Sequence, residues 1–131
     1  MHRDNPDIPV GEFVDAMDAE VKAGRIRGPF GGSNWTRERF DAAIAYAERS
    51  CKMKPSVLSN NFSLADMLQP VWTGCIASSS PAWMHWLEAK GIANFPWSSQ
   101  ARGFFTDSVG RGRLDVWSFL SRAQSCKTRP F

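Results

Sequence analysis

The chain has 131 residues, 43% of them hydrophobic and 22% charged, with a formal net charge of +3; this suits one compact domain and excludes a two-domain or disordered chain. The charge is uneven, since residues 1–101 hold 10 basic and 11 acidic side chains while residues 102–131 hold 6 and 2. A near-neutral body with a basic tail lacks the interleaved arginines and aromatic platforms of a single-strand binder, so nucleic acid is not an expected partner.

The first element is a helix over residues 10–23, where Val10, Phe13, Val14, Met17 and Val21 recur at three- and four-residue spacing and Glu12, Asp15, Asp18 and Lys22 fall elsewhere. Pro9 suits its first turn and Gly24 its stop. RIRGPFGGSNW follows, with Ile26 and Phe30 in a segment too short and glycine-rich for a helix; it reads as a buried strand centred near residue 28 that runs into a loop.

Thr36 caps a second helix over residues 37–49, with Glu38 in the first turn and Phe40, Ala43, Ile44 and Ala47 as the inward stripe. After Lys54-Pro55, SVLSNNF reads as a strand near residue 58, and Ser63-Leu64-Ala65-Asp66 has the spacing of a capping box opening a short helix. Residues 67–79 give no clear pattern. Ser80-Pro81 opens a helix through Lys90 with Trp83 and Leu87 on one face and Gly91 as the stop, and IANFPW is a strand near residue 94. A weak amphipathic segment at Leu114, Trp117, Phe119 and Leu120 is a further helix candidate. Strands about 30 to 36 residues apart, joined by helices, are the mark of repeated βα units in a parallel sheet, so the fold class is α/β.

Cys51, Cys75 and Cys126 have neither a paired framework nor a Cys-x-x-Cys spacing, and are expected to be buried or semi-buried thiols rather than metal ligands. His85, between Trp83 and Trp86, has no metal-ligand spacing either, so no metal site is expected. The N-terminal segment has no apolar core of signal-peptide type and no stretch reaches the ~18 apolar residues of a membrane span. A soluble, cytoplasmic protein is expected, with no membrane partner.

Three segments lie at strand ends: Met1-His2-Arg3-Asp4, Gly31-Gly32-Ser33-Asn34-Trp35, and Pro96-Trp97-Ser98-Ser99-Gln100-Ala101-Arg102-Gly103-Phe104. Their order and spacing resemble those of the aldo/keto reductases, and PVGEFVDAMDAEVKAGRIRGPFGGSNW and LADMLQPVWTGC are similar to that family's helix and loop sequences. The resemblance implies a partial TIM (β/α)8 barrel of about half the βα units, with parallel strands and helical crossovers, since a full barrel takes about 250 residues. Residues 1–107 would form a partial aldo/keto reductase domain and residues 108–131 a divergent basic tail, the whole reading as a fragment or frameshifted product.

The implied activity is that of an NADP-dependent oxidoreductase reducing small aldehydes and ketones. By the same matching His2 is the catalytic histidine that orients the substrate carbonyl. Ser33 and Asn34 match the pair that hydrogen-bonds the nicotinamide carboxamide, and Trp97 the aromatic ring stacked on the nicotinamide. Ser98 and Gln100 follow along the pyrophosphate path. Ser59 falls where the family commonly has a carboxamide-binding glutamine, and Asn61 offers an amide two residues on. No residue matches the family's general-acid tyrosine or its lysine and aspartate, and the adenosine site has no match in the tail. Tyr46, the single tyrosine, lies inside the second helix. The chain is therefore expected to be inactive alone. The alternative is a non-enzymatic half-barrel interaction module or assembly partner that self-associates through open sheet edges.

Overall fold

In a computed structural model the described residues are 1–101, Phe105 and the backbone of residues 126–128. The helix candidate at 114–120 and the side chain of Cys126 lie outside them. Three helices alternate with short strands: α1 (Val10–Lys22), β1 (Gly31–Ser33), α2 (Arg37–Arg49), β2 (Val57–Ser59), β3 (Ala65–Met67), α3 (Pro81–Lys90), β4 (Ala93–Asn94) and β5 (Cys126–Thr128).

Strands β1, β2 and β4 form a parallel sheet in the order β1-β2-β4, with Gly31 opposite Val57 and Val57 opposite Ala93. The class is thus mixed α/β with a small parallel sheet whose strands are joined through α2 and α3, as the 30-residue spacing requires. The first strand begins three residues beyond its expected centre because Ile26 and Phe30 belong to the approach, where residues 27–30 form no ladder. A short reach of parallel pairing continues past the strands: Asn61 bridges Ala77 on one side and Trp97 on the other.

Met1 extends the sheet at its other edge. Its terminal ammonium donates to the Gly31 carbonyl at 3.0 Å and its carbonyl accepts from Ser33 N–H at 2.9 Å. Bonding to the residues on either side of Gly32 is the hydrogen-bond pattern of a parallel pair, which sets Met1 across from Gly32. His2 thereby comes opposite Ser33 at the strand end.

The core is one cluster joining all three helices to the sheet: Val14, Trp35, Phe40, Ala43, Ala47, Leu58, Leu87 and Ile92. Edge-to-face rings run through it from Phe13 to Trp35, Phe40, Trp86 and Trp83, a geometry that adds about 0.5–1.5 kcal/mol per pair beyond area burial. Leu58 points into this cluster, so by strand alternation Ser33 and Ser59 point to the opposite face. Close backbone approach explains the glycine at 31, where a Cβ would lie 1.6 Å from the Val57 carbonyl oxygen.

Caps place α2 and α3 where the sequence predicts, while Pro9 stands at the N-cap of α1 and not in its first turn. Thr36 accepts from Arg39 N–H at 3.1 Å, Ser80 accepts from Trp83 N–H at 3.4 Å with Pro81 next, and Gly91 ends α3 at φ +63°. Three further expectations are corrected. Ser63 starts no helix: its hydroxyl accepts from Ala65 N–H at 3.3 Å and donates to Ala65 O at 2.8 Å, and residues 65–67 pair antiparallel with Cys126–Thr128 instead. Asp18 is buried although it falls outside the apolar stripe, because its carboxylate accepts from Met53 N–H at 3.1 Å and pairs with Lys22 at 2.7 Å. Cys51 is exposed, whereas Cys75 is buried as expected. Among the described residues, no helix is long and apolar enough to cross a membrane.

Candidate functional site

The C-terminal ends of β1 and β2, the residues opposite Ser33, and the chain after β4 converge on one cavity of about 630 Å³, lined by Met1, His2, Arg3, Ser33, Asn34, Ser59, Trp72 and Trp97. Its size falls within the range of ordinary ligand clefts, ~300–1,000 Å³. Five of the seven residues singled out from the sequence, His2, Ser33, Asn34, Ser59 and Trp97, therefore meet at one end of the sheet. Ser98 and Gln100 do not line it: Ser98 sits at φ +57° in a turn closed by Ala101 N–H to Ser98 O at 2.8 Å, and Gln100 is exposed. Asn61 is buried in the sheet continuation, its backbone bonded to Ile76 and Ser78.

Local structure aims each polar group. Asn34, between the end of β1 and the cap of α2, adopts φ +57°, a left-handed conformation that asparagine tolerates better than most side chains. This turns its amide back over the strand end, where Nδ2 donates to Ser33 Oγ at 3.2 Å and Oδ1 accepts from Ile76 N–H at 3.2 Å. Ser33 Oγ donates to the Ser59 carbonyl at 2.7 Å, and Trp97 Nε1 donates to the same carbonyl at 3.2 Å. Ser59 thus contributes its main chain as an acceptor for two neighbours, a role that reading side chains in sequence does not reveal. With Ser33 and Asn34 both buried, this small network fixes the floor of the cavity.

Sequence reasoning missed Trp72. It lies in the segment without clear pattern, yet its indole is stacked on that of Trp97, with centroids 5.0 Å apart and planes 18° from parallel. The guanidinium of Arg3 lies 5.9 Å from the centroid of the Trp72 ring. Arg3, Asn34 and Trp72 also line a second, adjoining cavity of about 210 Å³ with Asp4, Thr36 and Gly74 among its walls. Locally, Trp72 opens a short turn: Cys75 N–H bonds to Trp72 O at 3.0 Å across Gly74 at φ +83°, as a type II turn needs.

Behind the site, Arg39 holds the N-terminal segment in place. It donates to Asp4 at 3.0 Å and to the carbonyls of Asn5 and Ile8 at 3.1 and 2.6 Å. Tyr46 lies away from the cavity: its hydroxyl donates to Asp15 of α1 at 3.0 Å, and Lys52 pairs with the same carboxylate. The hydrogen bond from Lys52 holds Asp15 below the usual carboxylate range, and the bond to Asp15 raises Lys52. His85 is exposed on α3, and among the described residues no group of three His, Cys, Asp or Glu side chains could hold a metal ion. The chain matches no protein-family model and no curated protein.

Proposed function

We propose that the chain is a partial aldo/keto reductase barrel that retains the nicotinamide end of a nucleotide site and lacks the apparatus for turnover. The observation that carries this reading is the meeting of His2, Ser33, Asn34, Ser59 and Trp97 in one cavity. These residues come from four separate stretches of the chain, between His2 and Trp97. Active sites of parallel βα barrels form at the C-terminal strand ends, where this cavity opens.

The residues fit one half of the cofactor. Trp97 supplies a flat face for the nicotinamide ring, and the Ser33–Asn34 pair supplies the donor and acceptor that a carboxamide takes. When bound, a reduced nicotinamide supplies hydride to a carbonyl carbon. His2, across from Ser33, would orient that carbonyl over the ring. A proton for the carbonyl oxygen must come from a donor within about 3 Å, and Tyr46 is engaged with Asp15 among the helices. Ser98 and Gln100 stand outside the cavity, so the pyrophosphate has weaker support than the ring.

A titration of NADP+ followed by tryptophan fluorescence tests the reading. Quenching that saturates in the natural chain and is lost in Trp97→Ala is expected; no quenching at millimolar nucleotide would sink it. A second reading, a non-enzymatic module pairing with another half-barrel, is favoured by Phe95, which follows β4 and is 69% exposed. Chromatography over a range of concentrations distinguishes it, because edge pairing gives a dimer that dissociates on dilution.

A further inference from the structure

The ring contact a nicotinamide would need is taken by the chain itself, and the same segment uses one of the two acceptor positions on the Asn34 amide oxygen, leaving the other for a carboxamide. Trp72 covers the Trp97 ring, with centroids 5.0 Å apart. Four residues on, Ile76 N–H donates to the Asn34 amide oxygen at 3.2 Å. A flat ring and an N–H donor, presented together, are what a nicotinamide presents with its carboxamide.

We propose that residues 68–76 form a strap that occupies the ring site in place of ligand, so that a planar heteroaromatic ring binds only when Trp72 swings off Trp97. This rests on the nicotinamide reading above and adds a residue, Trp72, that sets the affinity of the site. The segment is held at both ends, by Met67 in the β3–β5 ladder and by Ile76 at the sheet, and is exposed between them. Ile76 O is tied to Asn61 N–H at 3.0 Å and Ala77 bridges Asn61, which anchors the strap to the sheet. Leu68, Gln69, Pro70, Thr73 and Gly74 are exposed, and Trp72 keeps 36% of its surface in water. Gly74, at φ +83° with open space where a Cβ would stand, is the joint between the exposed stretch and the Ile76 anchor. Trp72 is held at the cavity by ring stacking on Trp97 and by the Arg3 guanidinium, contacts that a bound ring on Trp97 would replace in kind.

A site open only part of the time binds with an affinity reduced by the open fraction. Removing one aromatic stack should raise that fraction by about tenfold. The probe is nicotinamide mononucleotide, which carries the ring and carboxamide without the adenosine half, titrated calorimetrically into the natural chain, Trp72→Ala and Trp97→Ala. The expected result is binding about tenfold tighter in Trp72→Ala and none in Trp97→Ala, with helix content unchanged by far-ultraviolet circular dichroism. In the natural chain, saturation with the mononucleotide should also remove the near-ultraviolet signal of the coupled Trp72–Trp97 pair. Binding in Trp72→Ala equal to or weaker than in the natural chain makes Trp72 a wall of the site and overturns the strap alone. So does a coupled-indole signal that persists at saturation. Absence of binding in all three proteins overturns the nicotinamide reading and the strap with it.

Discussion

Ser33 and Ser59 face each other in register across β1 and β2, and Ser33 Oγ donates to the Ser59 carbonyl at 2.7 Å beside a second donor, Trp97 Nε1, at 3.2 Å. A strand-end carbonyl that two side chains reach from different elements couples the ends of β1 and β2 to the chain after β4.

Ser33→Ala removes one of the two donors and should cost about 1 kcal/mol in urea unfolding. Trp97→Phe should cost a similar amount through the lost indole N–H. Because the two donors share one acceptor, the double variant is expected to lose more than the two single losses added together, by about 0.5 kcal/mol or more. Strict additivity would show that the carbonyl does not couple them.

Gly31→Ala would set a methyl group 1.6 Å from the Val57 carbonyl oxygen, a backbone atom that cannot turn aside. Strands β1 and β2 must separate, and a loss of about 2–4 kcal/mol in folding stability is expected by thermal or urea unfolding. Gly28→Ala, with nothing within 4 Å of the added carbon, is the control and should stay within about 0.5 kcal/mol of the natural chain.

How far the sequence foretells this architecture depends on the range of the interactions involved. The helices α1, α2 and α3 are legible to within a residue because their signals are local: α1 shows its apolar spacing, Thr36 and Ser80 cap α2 and α3, and Gly91 takes the left-handed stop of α3. The segment at Ser63 misleads because a hydroxyl that bonds two residues on, to Ala65, has the same letter as one that caps three residues on. What makes residues 65–67 a strand is their pairing with residues 126–128, some sixty positions away. Trp72 and Arg3 escaped for a related reason. Their meaning lies in which rings they meet, and no periodicity encodes that.

Asp18 gives a pH dependence with a definite sign. Its hydrogen bond with Lys22, and then that from Met53 N–H, hold its carboxyl below the ordinary value. A carboxyl lowered in the folded state stabilises the protein above its unfolded pKa, near 4, and that contribution is lost as pH falls through the lower folded value. Acid unfolding should therefore steepen below about pH 4, and Asp18→Asn should flatten that limb while lowering stability at neutral pH. An unchanged acid limb in the variant would assign the effect to other carboxylates.

With small aldehydes and NADPH, the purified chain is expected to show no oxidation of the nucleotide above background. Tyr46 is spent on Asp15, and loss of members of a catalytic set commonly costs several powers of ten in rate. Turnover that vanishes in Trp97→Ala would show that the chain, or an assembly of it, builds a working site after all.

The placement of Met1 has a practical bearing. Its ammonium and carbonyl hold it opposite Gly32 in a parallel ladder, so a residue fused ahead of it is steered alongside Gly31, where β1 begins. A tag attached there would start against the first residue of β1 and cover the beginning of that margin, which is otherwise open to pairing with another chain. Tag-bearing and tag-free preparations should then differ in aggregation although the rest of the chain is identical.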